Sequence, residues 1–232
     1  MRNLGPLVCL LLASAAVACG GEDLPALEPR ETAVAPAAAV PAAPAPEPGQ
    51  RRHIVFLGDS LTAGYGLPRG ESVPDLLQTR LDAGGYDYEV VNASVSGDTS
   101  AGGLSRLDWS LQGDVEVLVI ELGANDGLRG LPVEAMKGNL DAIITRARER
   151  DITVVLTGME APPNYGEAYT TEFRQAYRDL AREHEVAFVP FFLEGVAGIP
   201  RLNIADGIHP NSEGARIVEA TVWRTLEPLL DR

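Results

Sequence analysis

Five short runs of apolar residues, separated by stretches that carry helical stripes, constrain this chain more than any other feature. His53 to Leu57, Tyr88 to Val91, Val115 to Leu122, Ile152 to Leu156 and Val186 to Val189 read as strands. Several are near-continuous rather than alternating, the pattern of parallel strands covered on both faces. Met136, Leu140, Ile143, Ile144 and Ala147 fall on one helical stripe; Phe173, Ala176, Tyr177, Leu180 and Ala181 fall on a second. Ala215, Val218, Val222, Leu226 and Leu229 form a third, and Ser72 followed by Asp75 marks an earlier helix near Val73 to Ala83. Strands alternating with helices need crossover connections, which are right-handed. The expected fold is therefore α/β, an open, doubly wound, five-stranded parallel sheet with helices on both faces.

The periodic region starts near Arg51, and what precedes it is different in kind. Residues 1–19 have a basic start at Arg2, a mostly apolar stretch from Leu4 to Val17, and small residues at Ala16-Val17-Ala18. That is the make-up of an export signal, too short for a transmembrane helix. Two readings of Cys19 stand side by side. Ala16-Val17-Ala18-Cys19 resembles a bacterial lipobox, with Ala16 where Leu is usual, and Ala-x-Ala also suits plain signal cleavage after Ala18. Residues 20–50 are rich in Gly, Ala and Pro and lack apolar periodicity, so they cannot bury a core. A Pro-rich spacer of about 30 residues, at about 3.1 Å each, reaches on the order of 90 Å. The expected organisation is a signal peptide with a possible lipobox over 1–19, a tether over 20–50 and one catalytic domain over 51–232.

Charge and cysteine content exclude several functions. The formal net charge is −14, whereas nucleic-acid partners need Lys and Arg against phosphate. Both cysteines, Cys9 and Cys19, precede the folded region, so the domain has no disulfide, no Cys nucleophile and no Cys-based metal site.

In open α/β sheets ligands bind beyond the carboxyl ends of the strands. Four segments fall there. They are Gly58-Asp59-Ser60-Leu61, Asn92 through Gly97 to Ser100, Gly123-Ala124-Asn125-Asp126-Gly127, and Asp206-Gly207-Ile208-His209. Acyl transfer requires a nucleophile, a base, a group that orients the base, and donors for the developing oxyanion. Ser60, at a strand-to-helix turn, is the candidate nucleophile. His209 is the candidate base, and Asp206, three residues earlier, is close enough in sequence to reach its Nδ1. The backbone N–H groups of Ser60 and Gly97 and the Asn125 amide are candidates for the oxyanion hole. Tyr65, Leu128, Leu131, Met159, Tyr165 and Tyr169 either line an acyl pocket or pack their loops onto the domain.

These segments resemble the blocks of the SGNH (GDSL-type) serine hydrolase family, with its Ser, Gly, Asn and His at Ser60, Gly97, Asn125 and His209. Asp206-Gly207-Ile208-His209 matches the family's Asp-x-x-His. The stretches from Gly123 to Gly130 and from Gly158 to Gly166 resemble the bacterial periplasmic thioesterase, lysophospholipase and arylesterase subgroup. Ala124 stands where Gly is common. The resemblance implies a flavodoxin-like three-layer α/β/α sandwich, a Ser-His-Asp triad acting on carboxylic esters or thioesters without a cofactor or metal, and an exported protein. A carbohydrate O-deacetylase of the same family is the alternative.

Structural roles compete at single positions. Ser60 alone reads as a helix N-cap. Asp59, Asp98 and Asp126 read as binders of loop amides. His53 opens a strand, and His184 ends a helix, where a cation suits the dipole. A two-metal phosphoesterase needs more His and Asp ligands than this domain offers. A non-catalytic binding protein on the same scaffold should lack part of the constellation, and no part is missing.

Overall fold

The computed structural model describes residues 51–231. The strands are β1 (Arg52–Gly58), β2 (Tyr88–Asn92), β3 (Val115–Glu121), β4 (Thr153–Thr157) and β5 (Ala187–Val189). Each expected strand is present, within one residue at either end. All neighbours pair in parallel, in the order β2-β1-β3-β4-β5. This is the flavodoxin-like order, whose direction reverses between β1 and β3.

In chain order the helices are α1 (Ser60–Ala63), α2 (Val73–Gly84), α3 (Ser100–Ser105), α4 (Leu107–Ser110), α5 (Ala124–Leu128), α6 (Val133–Arg148), α7 (Glu167–Glu183) and α8 (Ser212–Leu226). α2 packs on α8, and α6 packs on both α3 and α7. Right-handed crossovers put helices that lead toward β2 and helices that lead toward β5 on opposite faces, which makes three layers. The stripes of α6 and α7 are buried throughout. Ser72 and Asp75 form a reciprocal capping box at the start of α2.

Burial follows position in the sheet. From Ile54 to Leu57 in β1 and from Val117 to Ile120 in β3, every side chain has zero exposure. The edge strands β2 and β5 are only partly covered. One carboxylate breaks the central pattern: Glu121, the last residue of β3, is also fully buried. Among the described residues no helix is long and apolar enough to cross a membrane. The signal and tether expectations, Cys19 included, fall on residues 1–50, outside the described residues.

Candidate active site

The reversal of strand order opens a crevice between the ends of β1 and β3, and the four Gly- and Asn-rich segments meet beside it. β1 runs through Gly58 into a sharp turn, where Asp59 (φ −112°, ψ −146°) caps α1 by accepting the Leu61 N–H on Oδ1 at 2.9 Å. Asp59, not Ser60, is the N-cap; Ser60 is the first helical residue, and its side chain is released from capping duty. Only glycine fits at position 58, because an added Cβ would sit 2.0 Å from Thr62 Oγ1.

On the other side of the crevice the chain from Asn203 to Asn211 is pinned at several points. Asn203 and Pro210 form an antiparallel bridge, and Ile204 N–H donates to the His209 carbonyl at 2.9 Å. Asn211 caps α8 by accepting the Glu213 and Gly214 N–H groups. This frame aims the imidazole. His209 Nε2 lies 2.8 Å from Ser60 Oγ, and His209 Nδ1 lies 2.7 Å from Asp206 Oδ2. Asp206 Oδ1 accepts the N–H groups of Ile208 (2.9 Å) and His209 (3.1 Å). Those donors, led by the Ile208 amide, hold the Asp206 carboxyl down at about 2, so it is ionised at any working pH. The Tyr65 ring tilts over the imidazole, centroid to centroid 4.6 Å. The three residues expected to act as a unit are thus brought into one hydrogen-bonded row.

Three donors in these segments keep a hydrogen without a partner among the described residues. The Ser60 N–H belongs to the first turn of α1, where no intrahelical acceptor exists. Gly97 has φ +86°, the left-handed region that glycine enters without strain, and its N–H has no partner among the described residues. Asn125 gives one amide hydrogen to Asp59 Oδ2 at 3.0 Å, which leaves the other for a ligand.

Beneath this row lies a polar cluster. Glu121 Oε2 accepts from the Asp59 N–H (3.3 Å) and from Thr62 Oγ1 (3.1 Å), and Thr62 Oγ1 also lies 2.8 Å from Ser94 Oγ. Burial, then the charge of Asp59, pushes the Glu121 carboxyl well above the usual range. Burial raises the Asp59 carboxyl as well, opposed first by the Leu61 amide and then by Glu121 and Asn125.

The Gly97 segment has its own clamp. Arg106, at the junction of α3 and α4, donates from Nε to Asp98 Oδ2 (2.6 Å), from Nη2 to the Gly58 carbonyl (2.9 Å), and from Nη1 to the Ala93 carbonyl. Asp98 thus pairs with an arginine instead of loop amides. Asp126 does bind a loop amide, accepting the N–H and Oγ of Ser100 at 2.8 and 2.6 Å. His184 closes α7 as expected and lies 2.7 Å from Asp141.

The expected pocket residues divide. Leu128 and Tyr165 are 45% and 43% exposed, and Tyr165 Oη donates to the Leu128 carbonyl at 3.1 Å. Leu131 is half-buried, with its carbonyl accepting from Tyr169 Oη at 2.8 Å. Met159 follows the packing alternative: it is 5% exposed and belongs to the core. Glu121 and Arg106 were not among the expected site residues. Glu121 had a readable signal, a lone carboxylate inside an apolar strand; Arg106 had none.

The model of the GDSL-like lipase/acylhydrolase family matches residues 56–217. The chain is 47% identical over 178 residues to a protein named esterase TesA from Pseudomonas aeruginosa, covering 76% of this chain and 89% of that protein. It is 36% identical over 179 residues to one named thioesterase 1/protease 1/lysophospholipase L1 from Escherichia coli, covering 77% and 85%. A crystal structure of TesA aligns with a TM-score of 0.74 at 46% identity, covering 77% of this chain and 100% of that one.

Proposed function

The chain belongs to the GDSL-like lipase/acylhydrolase family, and on that premise we propose that it hydrolyses carboxylic esters and thioesters through an acyl-enzyme formed on Ser60. The observation that carries the mechanism is the row from Ser60 Oγ to His209 Nε2 and from His209 Nδ1 to Asp206. Ser60 Oγ attacks the carbonyl carbon while His209 Nε2 takes its proton. The carbonyl oxygen becomes an oxyanion held by the Ser60 and Gly97 N–H groups and the free Asn125 amide hydrogen. Asp206 holds the imidazole in the required tautomer and stabilises its charged form. Collapse expels the alcohol or thiol, which takes the proton from His209. Water, deprotonated by His209, then attacks the acyl carbon; the bond from that carbon to Ser60 Oγ breaks as His209 returns the proton to Oγ, and the carboxylic acid departs.

The esterase and thioesterase names of the relatives favour this substrate class over a carbohydrate O-deacetylase. The apolar, exposed surfaces of Leu128 and Tyr165, with Leu131 beside them, support an acyl-binding role for these loops.

A fluorophosphonate probe tests the nucleophile. Wild type should be labelled on the peptide that contains Ser60 and inactivated. Ser60→Ala should be unlabelled and inactive with unchanged thermal unfolding; near wild-type turnover by Ser60→Ala would sink the mechanism.

Export is proposed from the make-up of residues 1–19, and attachment to a membrane from Cys19 with residues 20–50 as the tether. Cys19→Ala should move the exported protein from the membrane pellet to the soluble fraction. Mature protein starting at an unmodified Cys19 would mean plain signal cleavage.

A further inference from the structure

Glu121 is a carboxylic acid where the fold needs only an apolar side chain. It ends β3, pairs in register with Gly58 of β1, and has zero exposure. Among the described residues its Oε1 has no hydrogen-bond partner. Burying a polar group costs stability wherever hydrogen bonds do not compensate it. Its contacts lead in one direction. Oε2 takes the Asp59 N–H and the Thr62 hydroxyl, and these residues flank Ser60 on either side. The missing Cβ of Gly58 makes room for this contact, since a Cβ there would come within 3.0 Å of Glu121 Oε2. Asp59, in turn, holds the Asn125 amide.

Resting on the oxyanion role proposed above for Asn125, we propose that Glu121 is a positioning residue for the reaction: by holding Asp59 in place it sets the direction of the Asn125 amide. The residue works through its hydrogen bonds to the Asp59 N–H and the Thr62 hydroxyl and touches neither substrate nor Ser60 Oγ. Asp59 Oδ2 is the acceptor for that amide, and the Thr62 hydroxyl gives Glu121 a second hold on the same turn. The rest of the cluster has a single direction to transmit: Asp59 has one oxygen on the Leu61 amide and the other on Asn125. Tilting Asp59 therefore tilts Asn125.

A double-mutant cycle with Asn125→Ala tests this, because residues that act through one another are not additive. Glu121→Met should lower kcat roughly 10-fold or more with KM changed less than about twofold, the pattern of an interaction made only in the transition state. In the Asn125→Ala background the same change should cost less than about threefold. Glu121→Gln, which supplies an N–H donor and a carbonyl acceptor in the same volume, should restore kcat to within about threefold of wild type. If Glu121→Met does not fold, Glu121→Asp, with its carboxyl drawn back by one methylene, takes its place in the cycle with the same expectation. Equal losses in both backgrounds would overturn the proposal alone, as would a wild-type kcat in Glu121→Met or a large loss in well-folded Glu121→Gln. An unchanged kcat in Asn125→Ala by itself would overturn the oxyanion role and this proposal together.

Discussion

The Asn125 amide donates to the Asp59 carboxylate at 3.0 Å, so the residue just before Ser60 aims a group that belongs to the neighbouring strand's loop. The two ends of the crevice between β1 and β3 are thereby tied together. One amide hydrogen is spent on that tie, and the other is left for the oxyanion in the mechanism proposed above. Asn125→Ala should lower kcat by roughly 10²–10³, or about 3–4 kcal/mol of transition-state stabilisation, with little change in KM. Steady-state kinetics on one aryl ester decides it. A loss confined to KM would make Asn125 a substrate-binding residue.

Asp206 should contribute no titration to the working pH range. Its carboxyl is held at about 2, below the ordinary aspartate value near 4. A depressed folded-state value stabilises the fold above the unfolded value, and that contribution disappears as pH falls toward 2. Because Asp206 stays ionised there, it should add no break to the acid limb of log kcat/KM above about pH 4. A slope approaching two between pH 4 and 6 would show a second essential group. Asp206→Asn should keep the fold and reduce kcat by roughly 10²–10⁴, because the imidazole loses its orienting charge.

Arg106 joins three stretches of chain around the Gly97 segment: the end of β1 at Gly58, Ala93, and Asp98. The Arg106–Asp98 pair is largely shielded from solvent, with side-chain exposures of 16% and 20%. Arg106→Ala should cost about 1.5–3 kcal/mol in urea denaturation, the worth of a hydrogen bond to a charged group left without its partner. Lysine cannot reproduce the three-way fork, so Arg106→Lys should recover only part of the stability. Activity of Arg106→Lys should fall more than its stability, since the Gly97 N–H is carried on the released segment. Stability and kcat equal to wild type in Arg106→Ala would remove the clamp from the account.

The parts of the molecule legible in the sequence are those governed by periodicity and by short-range spacing. β1 and β3 announce themselves because both faces are covered, and α6, α7 and α8 because one face is. The three-residue interval from Asp206 to His209 is short enough that a turn alone can bring the side chains together. The short helices α1, α3, α4 and α5 span one to two turns and show no stripe, so only tertiary contacts define them. Side-chain direction in loops was equally out of reach: Met159 and Tyr165 look alike as apolar loop residues, yet one is in the core and the other in solvent. Glu121 was written plainly in the apolar run of β3, but its partners come from positions 59 and 62, and that distance is closed by strand pairing, which spacing does not reveal.

Acyl-chain preference is the last prediction, and the loops beside the crevice carry it. Leu128 and Tyr165 present exposed apolar surface, and the hydrogen bond from Tyr165 Oη to the Leu128 carbonyl joins their two loops into one wall. Tyr169 braces that wall, with its ring 5.3 Å from Tyr165 and its hydroxyl on the Leu131 carbonyl. A chain lying along it gains about 0.8 kcal/mol per buried CH₂, so each methylene should raise kcat/KM by up to roughly fourfold until the wall is covered. Medium-to-long acyl esters and thioesters should therefore be cleaved faster than acetyl esters. Tyr165→Ala should flatten the dependence on chain length while leaving acetyl ester hydrolysis within about threefold of wild type, because Ser60, His209 and Asn125 are untouched. p-Nitrophenyl esters from acetate to palmitate, with matched acyl-CoA thioesters at one pH, measure both slopes. A maximum at acetate, with hexanoyl and longer chains much slower, would point instead to a closed pocket of the deacetylase kind, and Ser60 would keep its role as nucleophile.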